Sequence, residues 1–191
     1  MLSTSINHTF RPVGLLLASV LLLGGCSLFM PASEDYGKRS LGVMWDDQMT
    51  ESRAKRVIRE ADPSLAEAHF NVTCFNGVAL ITGQVASEEA KKLAGDSVSK
   101  LRHVKLVHNE LQVAGPTSMV ARTNDTWLTT KVKSSLLVDG EVEGGRIKVV
   151  TEDGVVYLMG LVTRDEAEEA VSRARQTYGV QKIVKVFEYI N

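Results

Sequence analysis

The sequence predicts an α+β fold built twice, each copy running α-β-β-α-β with two helices packed on a small three-stranded mixed sheet. Three observations predict it. The first is an internal repeat: residues 70–85 align with residues 147–162, and Val72/Val149, Gly77/Gly154, Val78/Val155, Gly83/Gly160 and Val85/Val162 coincide. The second is that Asn76-Gly77 and Asp153-Gly154 each separate two apolar runs. Such pairs tolerate positive φ, so each predicts a tight hairpin turn. The third lies just beyond each hairpin. Ser87-Glu88-Glu89-Ala90 and Thr163-Arg164-Asp165-Glu166 place a hydroxyl cap and first-turn acids where a helix should begin.

The elements run in order along each copy. A first helix is expected over residues 47–60, then the hairpin, then a helix to about residue 100 and a last strand over residues 104–113. The second copy repeats this with a helix over residues 125–138, a hairpin, a helix to about residue 177 and a strand over residues 180–190. The last strand of copy one alternates between apolar and polar residues from Val107 to Val113, as a sheet wet on one side does. In copy two, residues 183–190 and 155–162 are apolar almost throughout. The second face of that sheet is therefore expected to be covered, most simply by copy one.

Ahead of the repeat lies a leader. Arg11 supplies positive charge, Val13 to Leu23 an apolar core, and Gly24-Gly25 small residues before Cys26. The apolar run is shorter than the roughly 20 residues that span a bilayer. No Asp or Glu precedes Glu34, which also suits a leader. Leu23-Gly24-Gly25-Cys26 resembles a bacterial lipobox. That resemblance implies loss of residues 1–25 as a signal peptide, and a diacylglycerol and an N-acyl chain on Cys26. Ser27, being other than Asp, implies sorting to the outer membrane. Residues 26–45, with Pro31, Ser33 and Gly37 and no apolar period, are expected to form the lipidated N-terminus and a tether. The folded copies then occupy residues 46–115 and 116–191.

Composition narrows the function. Losing the leader with Arg11 takes the formal net charge from −1 to −2, which gives no bulk attraction for nucleic acid. His69, His103 and His108 are dispersed, and no His-x-x-x-His or Cys-x-x-Cys spacing exists, so metal ligation has little support. Asp165, Glu166, Glu168 and Glu169 complement a helix dipole rather than mark acid–base chemistry. Ser134 and Ser135 have no visible base, there is no Walker-type loop, and Gly144-Gly145 marks a turn. Cys74 lies in an expected strand without a charged neighbour in sequence, as a small buried hydrophobe does. The expectation is a protein without catalysis, resident metal or small-molecule substrate, whose only attached groups are the acyl chains on Cys26.

The two copies differ on the outer face of their first helix. At about 100° per residue, Leu128, Val132, Ser135 and Leu136 share one face, which belongs against the sheet. The opposite face carries Trp127, Thr130, Lys131, Ser134, Leu137 and Val138, with Lys133 at its edge. In copy one the aligned positions are Met49 for Trp127, Arg53 for Lys131, Arg59 for Leu137 and Glu60 for Val138, a charged face. A Trp, a Leu and a Val on an outward face fit a membrane surface or a protein partner equally.

The helix, Gly-Val hairpin, Gly-x-Val strand end and Val-rich last strand resemble the BON domain. Residues 124–133 (NDTWLTTKVK) with residues 155–163 (VVYLMGLVT) are similar to the dual-BON outer-membrane lipoprotein family. That resemblance implies two BON domains and an outer-membrane, lipid-anchored, periplasm-facing location. It also implies that the first helix of the second domain binds anionic phospholipid through Trp127, Thr130, Lys131, Lys133, Ser134, Leu137 and Val138. It implies a part in outer-membrane integrity, with the division site, the outer-membrane assembly machinery or septal envelope proteins as further associations. The alternative is an adaptor that uses the same Trp127 patch to grip a protein of outer-membrane assembly or peptidoglycan remodelling.

Overall fold

A computed structural model of the chain describes residues 39–137 and 146–190. Cys26, the leader, Val138 and Gly144-Gly145 lie outside the described residues. The first copy comprises α1 (Leu41–Ala61), α2 (Pro63–Glu67), β1 (His69–Phe75), β2 (Val78–Val85), α3 (Glu88–Ser99), β3 (Leu106–Asn109) and β4 (Gln112–Val113). The second comprises α4 (Met119–Leu137), β5 (Ile147–Glu152), β6 (Val155–Val162), α5 (Arg164–Gln176) and β7 (Lys182–Tyr189).

Both first helices start earlier than the apolar period suggests. Residues 41–45, expected in the tether, form the first turn of α1 because Ser40 caps it: the Ser40 hydroxyl accepts from Val43 N–H. Ser118 does the same for α4, accepting from Ala121 N–H at 3.2 Å. The caps of α3 and α5 fall on the expected residues. Ser87 accepts from Ala90 N–H, and Thr163 forms a reciprocal capping box with Glu166. The short α2, absent from the sequence expectation, is a single turn capped by Asp62 with Pro63 at its first position.

The hairpins turn where expected. Asn76 and Gly77 have φ of 51° and 80°, and Asp153 and Gly154 have 48° and 73°. This is the all-positive geometry that matches strand twist. β1 and β5 run antiparallel to β2 and β6, and the last strands run parallel to them. In copy one that last strand is divided. Asn109 turns its side chain onto Lys91 O of α3 at 2.6 Å, Leu111 drops wholly into the core, and pairing to β2 resumes at Gln112. Gly83 closes β2 against the start of β1. Its φ is +123°, and a Cβ there would lie 2.3 Å from His69 O.

Each sheet has a helix-covered face and a second face. Ile58, Val72, Ile81, Ala94 and Val98 belong to the core between sheet and helices in copy one, and Leu128, Val132, Leu136, Leu158 and Ala170 to that in copy two. The second faces meet each other: Phe75 and Leu80 pack with Tyr157, Met159 and Val186, and Val78, Val150 and Leu161 close the rim. Polar links frame this seam. Gln84 donates to Glu152 at 2.9 Å, Asn76 to Glu188 at 2.8 Å, and Lys148 to Glu51 at 2.8 Å. The linker is pinned as Thr117 N–H and hydroxyl donate to the Gln84 side chain. The layers are thus helices, sheet, sheet, helices, and copy one covers the apolar second face of copy two. Among the described residues no helix is long and apolar enough to cross a membrane.

Candidate functional site

The site is the outward face of α4, and a buried aspartate fixes that face. Asp125 accepts from Asp153 N–H at 2.8 Å and from Gly154 N–H at 2.9 Å, clasping the helix to its hairpin. Asp47 makes the same pair of bonds to Asn76 and Gly77 at 2.8 and 2.9 Å. Arg39 adds an ion pair to Asp47 at 2.6 Å. Sequence reasoning missed both clasps. The available signal was an Asp at the same place in each copy, on the inward side of a helix. Thr129 adds a second tie, its hydroxyl meeting that of Thr151 at 2.8 Å. With Leu128, Val132 and Leu136 buried, the opposite side of α4 must face out.

That outward side carries no charge over an arc of about 100°. It displays Met119, Val120, Thr123, Trp127, Thr130, Ser134 and Leu137, all exposed, and Trp127 keeps 59% of its surface. Beside Trp127, Met119, Val120, Thr123 and Asn124 line a shallow open depression. Lys131 and Lys133 stand on the two borders of the stripe.

The threonines on and beside the stripe are less polar than their letters suggest. Thr123 donates to Met119 O, Thr126 to Arg122 O and Thr130 to Thr126 O, each at 3.0 Å. Their hydroxyls are satisfied within the helix, so covering this face with an apolar medium leaves no threonine donor unpaired.

Lys131 is held in place. Its ammonium sits 3.7 Å from the Trp127 ring centroid and donates to Tyr178 O at 2.7 Å. It lies 5.7 Å from the Tyr178 ring, which is 90% exposed. Tyr178 is absent from the sequence expectation. Its structural counterpart is Arg102, because Lys105 and Gln181 make the same N–H bond to the hairpin glycine in the two copies. An Arg-to-Tyr exchange between the copies was the signal. Of the seven residues expected at the site, the structure brings together Trp127, Thr130, Lys131, Ser134 and Leu137. It sets Lys133 on the far border, and Val138 is outside the described residues.

One part of the contrast between copies needs correction. The outer face of copy one is mainly charged from Arg53 onward; its first turns expose Leu41, Met44, Trp45 and Met49, with Asp46 at the border. A helix begun at residue 47, where the apolar period starts, leaves most of these residues out.

The repeat has counterparts among known proteins. The BON domain profile matches residues 46–115 and again residues 124–191. The chain is 32% identical over 187 residues to the outer membrane lipoprotein DolP of Haemophilus influenzae, covering 95% of this chain and 97% of that protein. It is 35% identical over 156 residues to the 21 kDa hemolysin of Actinobacillus pleuropneumoniae, covering 80% of this chain and 78% of that one. To osmotically-inducible protein Y of Escherichia coli it is 27% identical over 152 residues, covering 78% and 75%. The chain belongs to the dual-BON outer-membrane lipoprotein family.

Proposed function

We propose that this lipoprotein docks the outward face of α4 on anionic phospholipid and supports outer-membrane integrity without catalysis. One observation carries the reading: an aromatic-bearing, charge-free stripe, with its threonine hydroxyls bonded back into the helix, bordered on both sides by lysine. Trp sits well at headgroup level, where one edge of the ring is apolar and the other wet. Each Lys near an anionic surface contributes about 1 kcal/mol. Two lysines and one Trp make a weak site, and a weak site suffices here. Acyl chains on Cys26 hold the face near the bilayer and raise its effective concentration. Facing the periplasm from the outer membrane, such a protein collects where anionic lipid is enriched, the division site among those places.

The depression beside Trp127 supports a second reading, in which α4 receives a side chain from a protein of outer-membrane assembly or septal remodelling. One experiment separates the two. The unlipidated chain, lacking the leader and Cys26, is sedimented with phosphatidylglycerol vesicles and with phosphatidylcholine vesicles. Lipid docking predicts co-sedimentation with the first alone, abolished by Trp127→Glu while the circular dichroism spectrum is unchanged. Binding that survives Trp127→Glu, or no binding to anionic vesicles at all, removes the lipid reading.

A further inference from the structure

A second helix face is built along the same lines and is not used by α4 docking. The first turns of α1 expose Leu41 (84%), Trp45 (70%), Met44 and Met49. Leu41, Trp45 and Met49 fall within about 80° on the helix. Further along the same side, Arg53, Arg56 and Arg59 are exposed, with Lys55 at the margin. Glu60 is the acid on that face and meets Arg56 only at 4.0 Å; Asp46 lies at its far border. The face therefore runs from an apolar, aromatic first half to a basic second half, joining the aromatic anchors and the cations that favour an anionic interface.

Two facts choose the occupant. The first is reach. Residues 27–40 separate Cys26 from Leu41, and a chain of that length spans at most about 50 Å at 3.3–3.6 Å per residue. A chain anchored at Cys26 keeps this face within that distance of its own bilayer. The second is charge: four basic side chains against two acids complement an anionic surface.

We propose that the outward face of α1 is a second docking surface for the anionic bilayer that carries the anchor.

The chain has two tryptophans, Trp45 and Trp127, one on each face, so each face has its own reporter. The full lipidated chain carrying Trp127→Phe is reconstituted in vesicles of brominated phosphatidylglycerol and, separately, of brominated phosphatidylcholine. The anchor inserts in both. The expected result is a blue-shifted Trp45 emission, quenched severalfold more in the anionic vesicles, with the difference removed by high salt or by Arg53→Glu with Arg56→Glu. Equal Trp45 emission in the two vesicle types overturns the proposal. A blue shift without bromine quenching that grows with protein density assigns the face to a second copy, and overturns it as well. Trp45→Phe, read through Trp127 in the same vesicles, tests the α4 face separately, so failure of one face is distinguishable from failure of the other. Circular dichroism of each variant shows that the fold is kept.

Discussion

Replacing Asp125 with alanine removes both acceptors that hold α4 to its hairpin. The two bonds, at 2.8 and 2.9 Å, join a carboxylate to backbone N–H groups of Asp153 and Gly154. Hydrogen bonds to a charged partner contribute about 1.5–3 kcal/mol each, which bounds the pair at about 3–6 kcal/mol. Asp153 is exposed, so water replaces the carboxylate at its N–H; Gly154 is buried, so its N–H is left wanting. The loss should therefore fall near the lower bound, about 3 kcal/mol. For a domain of this size each kcal/mol moves the melting temperature by about 4–8 °C, so the second domain should melt about 12–24 °C lower. Asp125→Asn should fall between, because it keeps one acceptor and turns an NH₂ donor toward the other amide. Thermal unfolding followed by circular dichroism measures this. Asp47→Ala is an internal replicate, made worse by the stranded Arg39. A shift below about 4 °C, equivalent to under 1 kcal/mol, would refute the claim that the clasp sets the position of α4.

Further outcomes rest on the same packing. Burial, and then the carboxylates of Glu51 and Asp47, push the Cys74 thiol from its ordinary value of 9.0 up to about 12, and burial with Glu110 and Glu152 moves Tyr157 from 10.0 to about 12. The folded state keeps protons that the unfolded chain releases, so this contribution to stability is whole below pH 9.0 and lost as pH rises toward 12. The melting temperature should fall across that window, and native Cys74 should resist iodoacetamide below it; a melting temperature that rises there would contradict both. Gly83→Ala should prevent the first domain from folding, because its Cβ would stand 2.3 Å from His69 O at φ +123°. Gly160→Ala, whose Cβ would be 3.0 Å from Arg146 O without positive φ, should cost far less, and equal losses in chemical unfolding would show the contrast to be wrong. Leu80→Asp puts an unpaired carboxylate in the seam between the sheets, so NMR relaxation should change from one correlation time for both domains to two. A single correlation time in the variant would show that the polar links suffice.

Much of this was legible in the sequence because the repeat states it twice. The Asn-Gly and Asp-Gly pairs fixed both hairpins through a backbone demand that few residues meet, and the Ser87 and Thr163 caps marked two helix starts. The covered second sheet was readable from the loss of alternation in residues 155–162 and 183–190. What escaped depended on polar residues with several possible partners. Ser40 and Ser118 are ordinary loop residues until a helix forms behind them, so the first turns of α1 and α4 stayed hidden, and Trp45 with them. The clasps of Asp47 and Asp125 escaped because their partners are backbone amides, which carry no side-chain letter. The break of the last strand at Asn109 depends on a bond to Lys91 O that no pattern announces.

The packing explains where the copies are free to diverge. A lone three-stranded sheet with two helices leaves one sheet face wet, and that face could carry a binding surface. Here Phe75 and Leu80 meet Tyr157, Met159 and Val186, so both sheets spend their second faces on each other. The inner faces already hold the helices. No strand side chain in the seam can change alone without opening a cavity or an overpacked contact, at a cost of about 1–5 kcal/mol. The seam has nevertheless diverged, with Phe75 at the repeat position of Glu152, Leu80 at that of Tyr157 and Thr82 at that of Met159, whereas the outward helix faces carry no such packing constraint. On those faces Met49 stands against Trp127 and Arg53 against Lys131, and in the turn beside them Arg102 stands against Tyr178. These three exchanges fall on positions that touch in the second copy, with Lys131 between the two rings. Random drift on a solvated surface would scatter. The triad instead gathers two aromatics around one ammonium at a single place on the surface.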